Sequence, residues 1–177
     1  MTQPKSGIAV FDFDGTITDR DSFLAIVRFT HRSWALLWGL LVHTTAIIRY
    51  GLGLLPNDQL KEKIFTHFYG EADANKLQEK AQQFCQTVLP RILYQGALTQ
   101  IQWHQARGDR LILLSASPKL WLAPWCTQHG FELISSEFEV QDGCYTGRLA
   151  GPNCYGAEKE RRILPILDAY SIDLRYG

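Results

Sequence analysis

The chain has no surplus of charge: 18 Lys plus Arg stand against 18 Asp plus Glu in 177 residues. No basic surface for nucleic acid is implied, and none is expected as a partner. Its four cysteines, Cys85, Cys126, Cys144 and Cys154, have no Cys-x-x-Cys spacing and no paired histidines nearby. That excludes a zinc ribbon or a disulfide frame and predicts reduced, mostly buried thiols of a cytoplasmic protein. The opening Met1-Thr-Gln-Pro-Lys-Ser-Gly7 has no apolar centre, so it does not read as a signal peptide.

A long uninterrupted apolar run is also missing. The nearest approach is Trp34 to Leu55, which includes Leu36-Leu-Trp-Gly-Leu-Leu-Val42. A membrane span needs about 20 predominantly apolar residues with few charges. This run contains His43, Thr44, Thr45 and Arg49 and is flanked by His31 and Arg32. A buried or interfacial helix fits it better, and membrane association is not expected. A surface anchor remains the alternative reading.

What is present suits one domain plus a small insertion, with 46% hydrophobic residues. The chain is organised around Ile8-Ala-Val-Phe-Asp12-Phe-Asp14-Gly15-Thr16. Four apolar residues read as a buried strand, and two carboxylates one residue apart follow it. Alternate residues of a strand share a face, so both acids can be aimed beyond its carboxyl end. Ligands of open parallel α/β sheets bind there. A calcium loop is excluded: counted from Asp12, its glycine position is Ile17 and its glutamate position is Phe23.

Helical spacing dominates the next seventy residues. A helix capped by Asp19-Arg-Asp21-Ser22 ends near Thr30-His31, and the apolar run makes a second, stopped around Gly51 and Gly53. Pro56-Asn57-Asp58 caps a third, and Leu77 to Val88 traces a fourth. No strand pattern occurs between residues 19 and 95, so an all-helical module is inserted behind the acidic strand. Such a module can close over a strand end and exclude water, or it can merely stabilise the fold.

Strands return with Leu111-Ile-Leu-Leu114, followed by Ser115-Ala-Ser117-Pro118 and a helix. A hydroxyl and helix-start N–H groups at that place can hold a phosphate. After Gly130 comes a short strand, Phe131 to Ile134. Asp142-Gly143 then predicts a hairpin, read as architectural. The last helix, carrying Ile163, Ile166, Leu167 and Tyr170, opens with Lys159 in its first turn, against the helix dipole. Such a conflict marks either a function or a solvent-facing member of the charged run Glu158 to Arg162.

These segments together resemble the haloacid dehalogenase superfamily, in its phosphoserine phosphatase-like branch with a helical cap. The first motif is Asp12-Phe-Asp14-Gly-Thr, the second Ser115, and the third Lys159. The resemblance implies an α/β fold with a Rossmann-like parallel sheet, residues 1–18 plus 96–177, and a cap over 19–95. It implies a Mg²⁺-dependent phosphatase acting on a small phosphorylated metabolite. Asp12 would be the nucleophile and Asp14 the general acid and base, with both holding Mg²⁺. Ser115, Ala116 and Lys159 would bind phosphate. Asp21 falls where some relatives carry a substrate-contacting Glu, although a helix cap explains it equally well. Arg28, Arg32 and Arg49 are further cap residues that could meet a substrate.

A fourth motif, an acid or acid pair after a final strand, has no counterpart before Gly177. Asp168 and Asp173 are rejected as substitutes, because Asp168 sits in a helical pattern without a preceding strand. The expectation is a missing final strand and an open sheet edge. The chain would then be a truncated product, or a weak or inactive relative that only binds phosphate or metal.

Overall fold

The computed structural model describes residues 7–31, 33–167 and 172–176, the last five as backbone only. Its centre is a four-stranded sheet in the order β3-β2-β1-β6, all parallel. The strands are β1 (Ile8–Phe11), β2 (Arg110–Pro118), β3 (Phe131–Ser136) and β6 (Ile172–Tyr176). Period-two alternation sends the side chains of β1 and β2 to two cores. Ala9, Phe11, Leu111 and Leu113 enter the larger one. Ile8, Val10, Ile112 and Leu114 meet Ile163 and Leu167 of α8 (Ala157–Leu167) on the other face. Burial on both faces is why these strands are continuous apolar runs.

Helices α1 (Ser22–Thr30), α2 (Ser33–Val42), α3 (Thr44–Gly51), α4 (Asn57–Tyr69) and α5 (Ala74–Thr87) lie between β1 and the core helix α6 (Gln95–Arg107). The two connections to them run side by side: Tyr94 N–H donates to the Ile17 carbonyl and Asp19 N–H to that of Ile92, each at 2.8 Å. The inserted helices share the larger core. Ile26, Phe65, Leu77 and Phe84 belong to the same buried cluster as Trp121 and Trp125 of α7 (Lys119–His129). The Cys85 thiol on α5 donates to the Trp121 carbonyl. Burial pushes the Cys85 and Cys126 thiols up to about 12, so both are inert packing groups.

Several expectations change. The apolar run is two helices, because the Thr44 hydroxyl bonds the Leu40 and Leu41 carbonyls at 2.9 and 2.8 Å and ends α2 there. Asn57 does not cap α4. Pro56 holds the N-cap position, and the Asn57 side chain bonds Tyr50 and Asn153 instead. The final strand expected to be missing is present: β6 pairs with β1 and covers that edge. The segment carries a strand signal of its own, with Ile172, Leu174 and Tyr176 alternating with Asp173 and Arg175. Strand β2 runs on to Pro118, so α7 begins one residue after the proline.

The hairpin of β4 (Phe138–Gln141) and β5 (Cys144–Leu149) turns on Asp142 and Gly143, both at positive φ, as a two-residue turn requires. It also grips the inserted helices. Phe138 stacks on Phe65 at 3.5 Å between ring centroids, and the Leu149 N–H donates to Glu62 of α4. Gly147 lies so close to Thr66 that a Cβ there would come within 2.1 Å of its hydroxyl. No described helix is long and apolar enough to cross a membrane.

Candidate active site

Strand β1 ends at Phe11, and its tip delivers the two acids to the lining of one cavity of about 400 Å³. Phe13, between them, is fully buried beside Trp125 and points away, which locks the acids outward. The Phe13 carbonyl accepts from the N–H groups of Thr16, Ile17 and Thr18, and Gly15 supplies the left-handed turn at φ 76°. The tip is therefore rigid before any ligand arrives.

Lys159 Nζ lies 2.5 Å from Asp12 Oδ2, and Asp12 Oδ1 accepts from the Phe13 N–H. The lysine that opposed its helix dipole is thus balanced by a carboxylate across the sheet end. Asp14 has donors on both oxygens: the Ser22 N–H at 2.7 Å on Oδ1, and the Ser117 hydroxyl on Oδ2. Burial raises the Asp14 carboxyl above its ordinary range and outweighs the hydrogen bonds from Ser117 and Ser22 that lower it. The negative charge of Asp21 adds to the rise.

The Asp14 bond ends a chain of donors. Trp121 Nε1–H donates to Ser22 Oγ at 3.0 Å, Ser22 Oγ donates to Ser117 Oγ at 3.3 Å, and Ser117 donates to Asp14. One buried relay thus joins α7, the inserted helix α1 and strand β2 to a single carboxylate oxygen. Ser115 Oγ accepts from the Ser117 N–H at 3.1 Å, and Ser115, Ala116 and Ser117 all line the cavity.

Asp21 lines the cavity too, while its carboxylate accepts from the Leu24 N–H at 2.9 Å as the N-cap of α1. Arg28 and Arg49 do not reach the cavity wall, and Arg32 lies outside the described residues. The cation that does reach it from the inserted helices is Lys61 of α4. Its Nζ donates to the Ala116 carbonyl at 2.6 Å and to Asn153 Oδ1 at 2.5 Å. Asn153 also accepts from Ser136 and donates to Asn57, so one core loop clasps α4. Burial pushes the Lys61 ammonium down to about 8, despite help from Asp14 and Asp21.

Sequence reasoning missed Lys61, Ser117, Trp121 and Asn153 and saw Ser22 only as a capping residue. One signal was available: Lys61 interrupts the apolar face of Leu60, Ile64 and Phe68 on α4. Asp168 lies outside the described residues, and so does the Asp173 side chain.

The donors at the strand tip are all hard oxygens, the kind Mg²⁺ takes. Among the described residues no third His, Cys, Asp or Glu joins Asp12 and Asp14 to make a metal cluster. The fit rests on those two acids, with the remaining positions open to water and phosphate oxygens.

The family model for haloacid dehalogenase-like hydrolases matches residues 9–177. The chain belongs to that family. This hydrolase is 29% identical to Protein CicA of Caulobacter vibrioides over 171 residues, which cover 95% of this chain and 74% of that one. A protein of unknown function from Bordetella pertussis Tohama I superposes with a TM-score of 0.75 at 24% identity, covering 96% and 78% of the two chains. A substrate-bound phosphoserine phosphatase superposes at 0.66 with 19% identity, covering 96% and 74%. At these identities the two structures establish the fold.

Proposed function

We propose that this hydrolase is a Mg²⁺-dependent phosphomonoesterase that works through an aspartyl phosphate. The observation that carries the reading is the pair at the tip of β1, one acid ion-paired to Lys159 and the other buried with its pKa raised. Two carboxylates whose surroundings differ in this way can divide the roles of nucleophile and acid. The structural likeness to a phosphoserine phosphatase agrees with the reaction class.

Asp12 attacks phosphorus in line, forming an acyl phosphate as the bond to the ester oxygen breaks. Asp14, held protonated to higher pH than an ordinary carboxyl, gives its proton to the departing alcohol. It then takes a proton from water, which attacks phosphorus and frees Asp12. Lys159 neutralises the phosphoryl oxygens, while Ser115 and the Ala116 backbone hold them. Asp12 and Asp14 would hold Mg²⁺, which when bound supplies charge stabilisation at the phosphoryl group. Asp21 stays in place as the cap of α1 and shapes the approach.

The test is hydrolysis of p-nitrophenyl phosphate with Mg²⁺ by the wild type and by Asp12→Asn. The rate should fall to background in the variant. Equal rates would overturn the mechanism. Phosphate binding without turnover by the wild type would favour the reading of a binding protein.

A further inference from the structure

The cavity has two unlike ends. Its floor is the polar tip just described. Its opposite wall, from α1 to α4, is made by Phe23, Leu36, Leu40, Ile47, Ile64 and Phe68. Most of the polar groups on that side are already engaged. Lys61 is tied to Ala116 and Asn153, Asn57 to Asn153 and Tyr50, and Asp21 to the start of α1. His43 Nε2 is buried without a hydrogen-bond partner. A small polar phosphoester, with an amino or carboxyl group beyond the phosphate, would bury those groups against hydrocarbon at a loss. An apolar body would gain by the same contact.

Helix α2 continues the pattern outside. Leu36, Gly39 and Leu40 line the cavity, and the side turned away presents Trp34, Leu37, Trp38 and Leu41 at 64, 69, 56 and 65% exposure. Ile48 on α3 and Leu52 and Leu54 beyond it are also exposed. No Asp, Glu, Lys or Arg occurs from Ser33 to Ile48. A helix apolar all round is normally buried, and an exposed patch of this kind marks an interaction surface. The two tryptophans suit a membrane–water interface, and Arg49 in the last turn of α3 adds a cation beside them. The inner wall of the cavity and the outer patch are two sides of one helix. One ligand chemistry therefore accounts for both.

We infer that the substrate is an amphiphilic phosphomonoester, with phosphate at the tip of β1 and a hydrocarbon body along α1 to α4. It is taken from a lipid surface on which α2 and α3 rest. This rests on the phosphomonoesterase reading, and it replaces the expectations of a small phosphorylated metabolite and of no membrane association. The helices are too short to span a bilayer, so the contact is interfacial.

Two measurements test it. Calorimetry with ethyl-, hexyl- and decylphosphonate, below micelle-forming concentrations, reads the cavity without turnover. Affinity should rise about fourfold per methylene until the wall is covered, the factor for burying one CH₂. Chain-independent affinity would overturn the substrate class. Hydrolysis of p-nitrophenyl phosphate in the same preparation separates this failure from that of the reaction itself. If aryl phosphate is cleaved and chain length has no effect, the inference fails and the phosphatase reading stands.

The second measurement is co-flotation with vesicles of phosphatidylcholine and phosphatidylglycerol. The wild type should float with them. The double variant Trp38→Ser, Leu41→Ser should lose most of that binding while keeping aryl-phosphate hydrolysis, since neither residue lines the cavity. Absence of wild-type flotation would overturn the lipid surface. So would a dimer by light scattering that the double variant disrupts, which would make the patch a contact between copies.

Discussion

At the floor of the cavity polar side chains are held by hydrogen bonds and an ion pair, while across from it the wall is shaped mainly by apolar packing. Asp12 is fixed by Lys159, Asp14 by Ser22 and Ser117, and Ser115 by the Ser117 backbone. The wall from Phe23 to Phe68 offers mainly shape, and Gly39 there sits so close to the Phe68 ring that a Cβ would force the ring to shift. The difference separates two tasks. Chemistry needs donors and acceptors placed in advance, because reorganising them during reaction raises the barrier. Selection of a substrate body needs only volume and apolar surface, which can change without disturbing the floor.

The largest effect expected from breaking this division is at Asp14. Asp14→Asn keeps the acceptor for the Ser22 N–H and puts an amide toward Ser117, so the lattice survives while proton transfer is lost. Hydrolysis should fall by about 10² to 10⁴-fold. Stability should move the other way. A carboxyl whose pKa is raised on folding contributes stability at acid pH that is lost as pH rises through its raised value. The variant should therefore melt above the wild type at pH 7, and the gap should close as pH falls toward 4. Melting curves at both pH values check this; a lower melting point at pH 7 would mean the ionised Asp14 is well supported.

Lys61 is the charged group that reaches the cavity from α4, and removing it leaves Asn57 as the polar side chain that helix presents there. Lys61→Met breaks two charge-assisted bonds between α4 and the core. KM should rise about tenfold, with kcat changing less, as expected for a hydrogen bond to a charged group. In the wild type KM should also climb above pH of about 8, where Lys61 loses its proton. That climb should vanish in the variant, and its persistence would assign it to another group.

The smallest effect is at Ser117. Ser117→Ala removes a hydrogen bond that holds the pKa of Asp14 down, so that pKa rises further. The alkaline limb of the pH profile of kcat/KM, where the general acid loses its proton, should move to higher pH. The rate at the optimum should change by less than about tenfold. An unmoved limb would detach Ser117 from the acid.

Much of the floor was legible because its signals are local. An apolar run ending in Asp12 and Asp14 needs no tertiary information, and a lysine against a helix dipole announces a conflict that Asp12 resolves. The clasp was not legible. Lys61, Asn57 and Asn153 come from α4 and a distant loop, and their bonds exist only after the two pack. Asn57 read as a helix cap because its type fits that role, yet its side chain is diverted to Asn153. The strand β6 did carry a period-two signal, Ile172, Leu174 and Tyr176 alternating with Asp173 and Arg175, but so short a segment is fixed as a strand only by its partner β1, more than 150 residues earlier. The apolar run over α2 and α3 was read from its polar interruptions as a buried or interfacial helix, and no described helix is long and apolar enough to cross a membrane. Its division into an inner wall and an outer patch needed the fold.

The central claim is a covalent phosphoryl group on Asp12. Acid-quenching the enzyme during turnover with Mg²⁺ and a phosphomonoester, followed by peptide mass spectrometry, tests it directly. The expected result is one added phosphoryl group on the peptide carrying Asp12, removed by hydroxylamine and absent from Asp12→Asn. Rapid phosphate release with no labelled peptide, and an Asp12→Asn variant that still turns over, would contradict it.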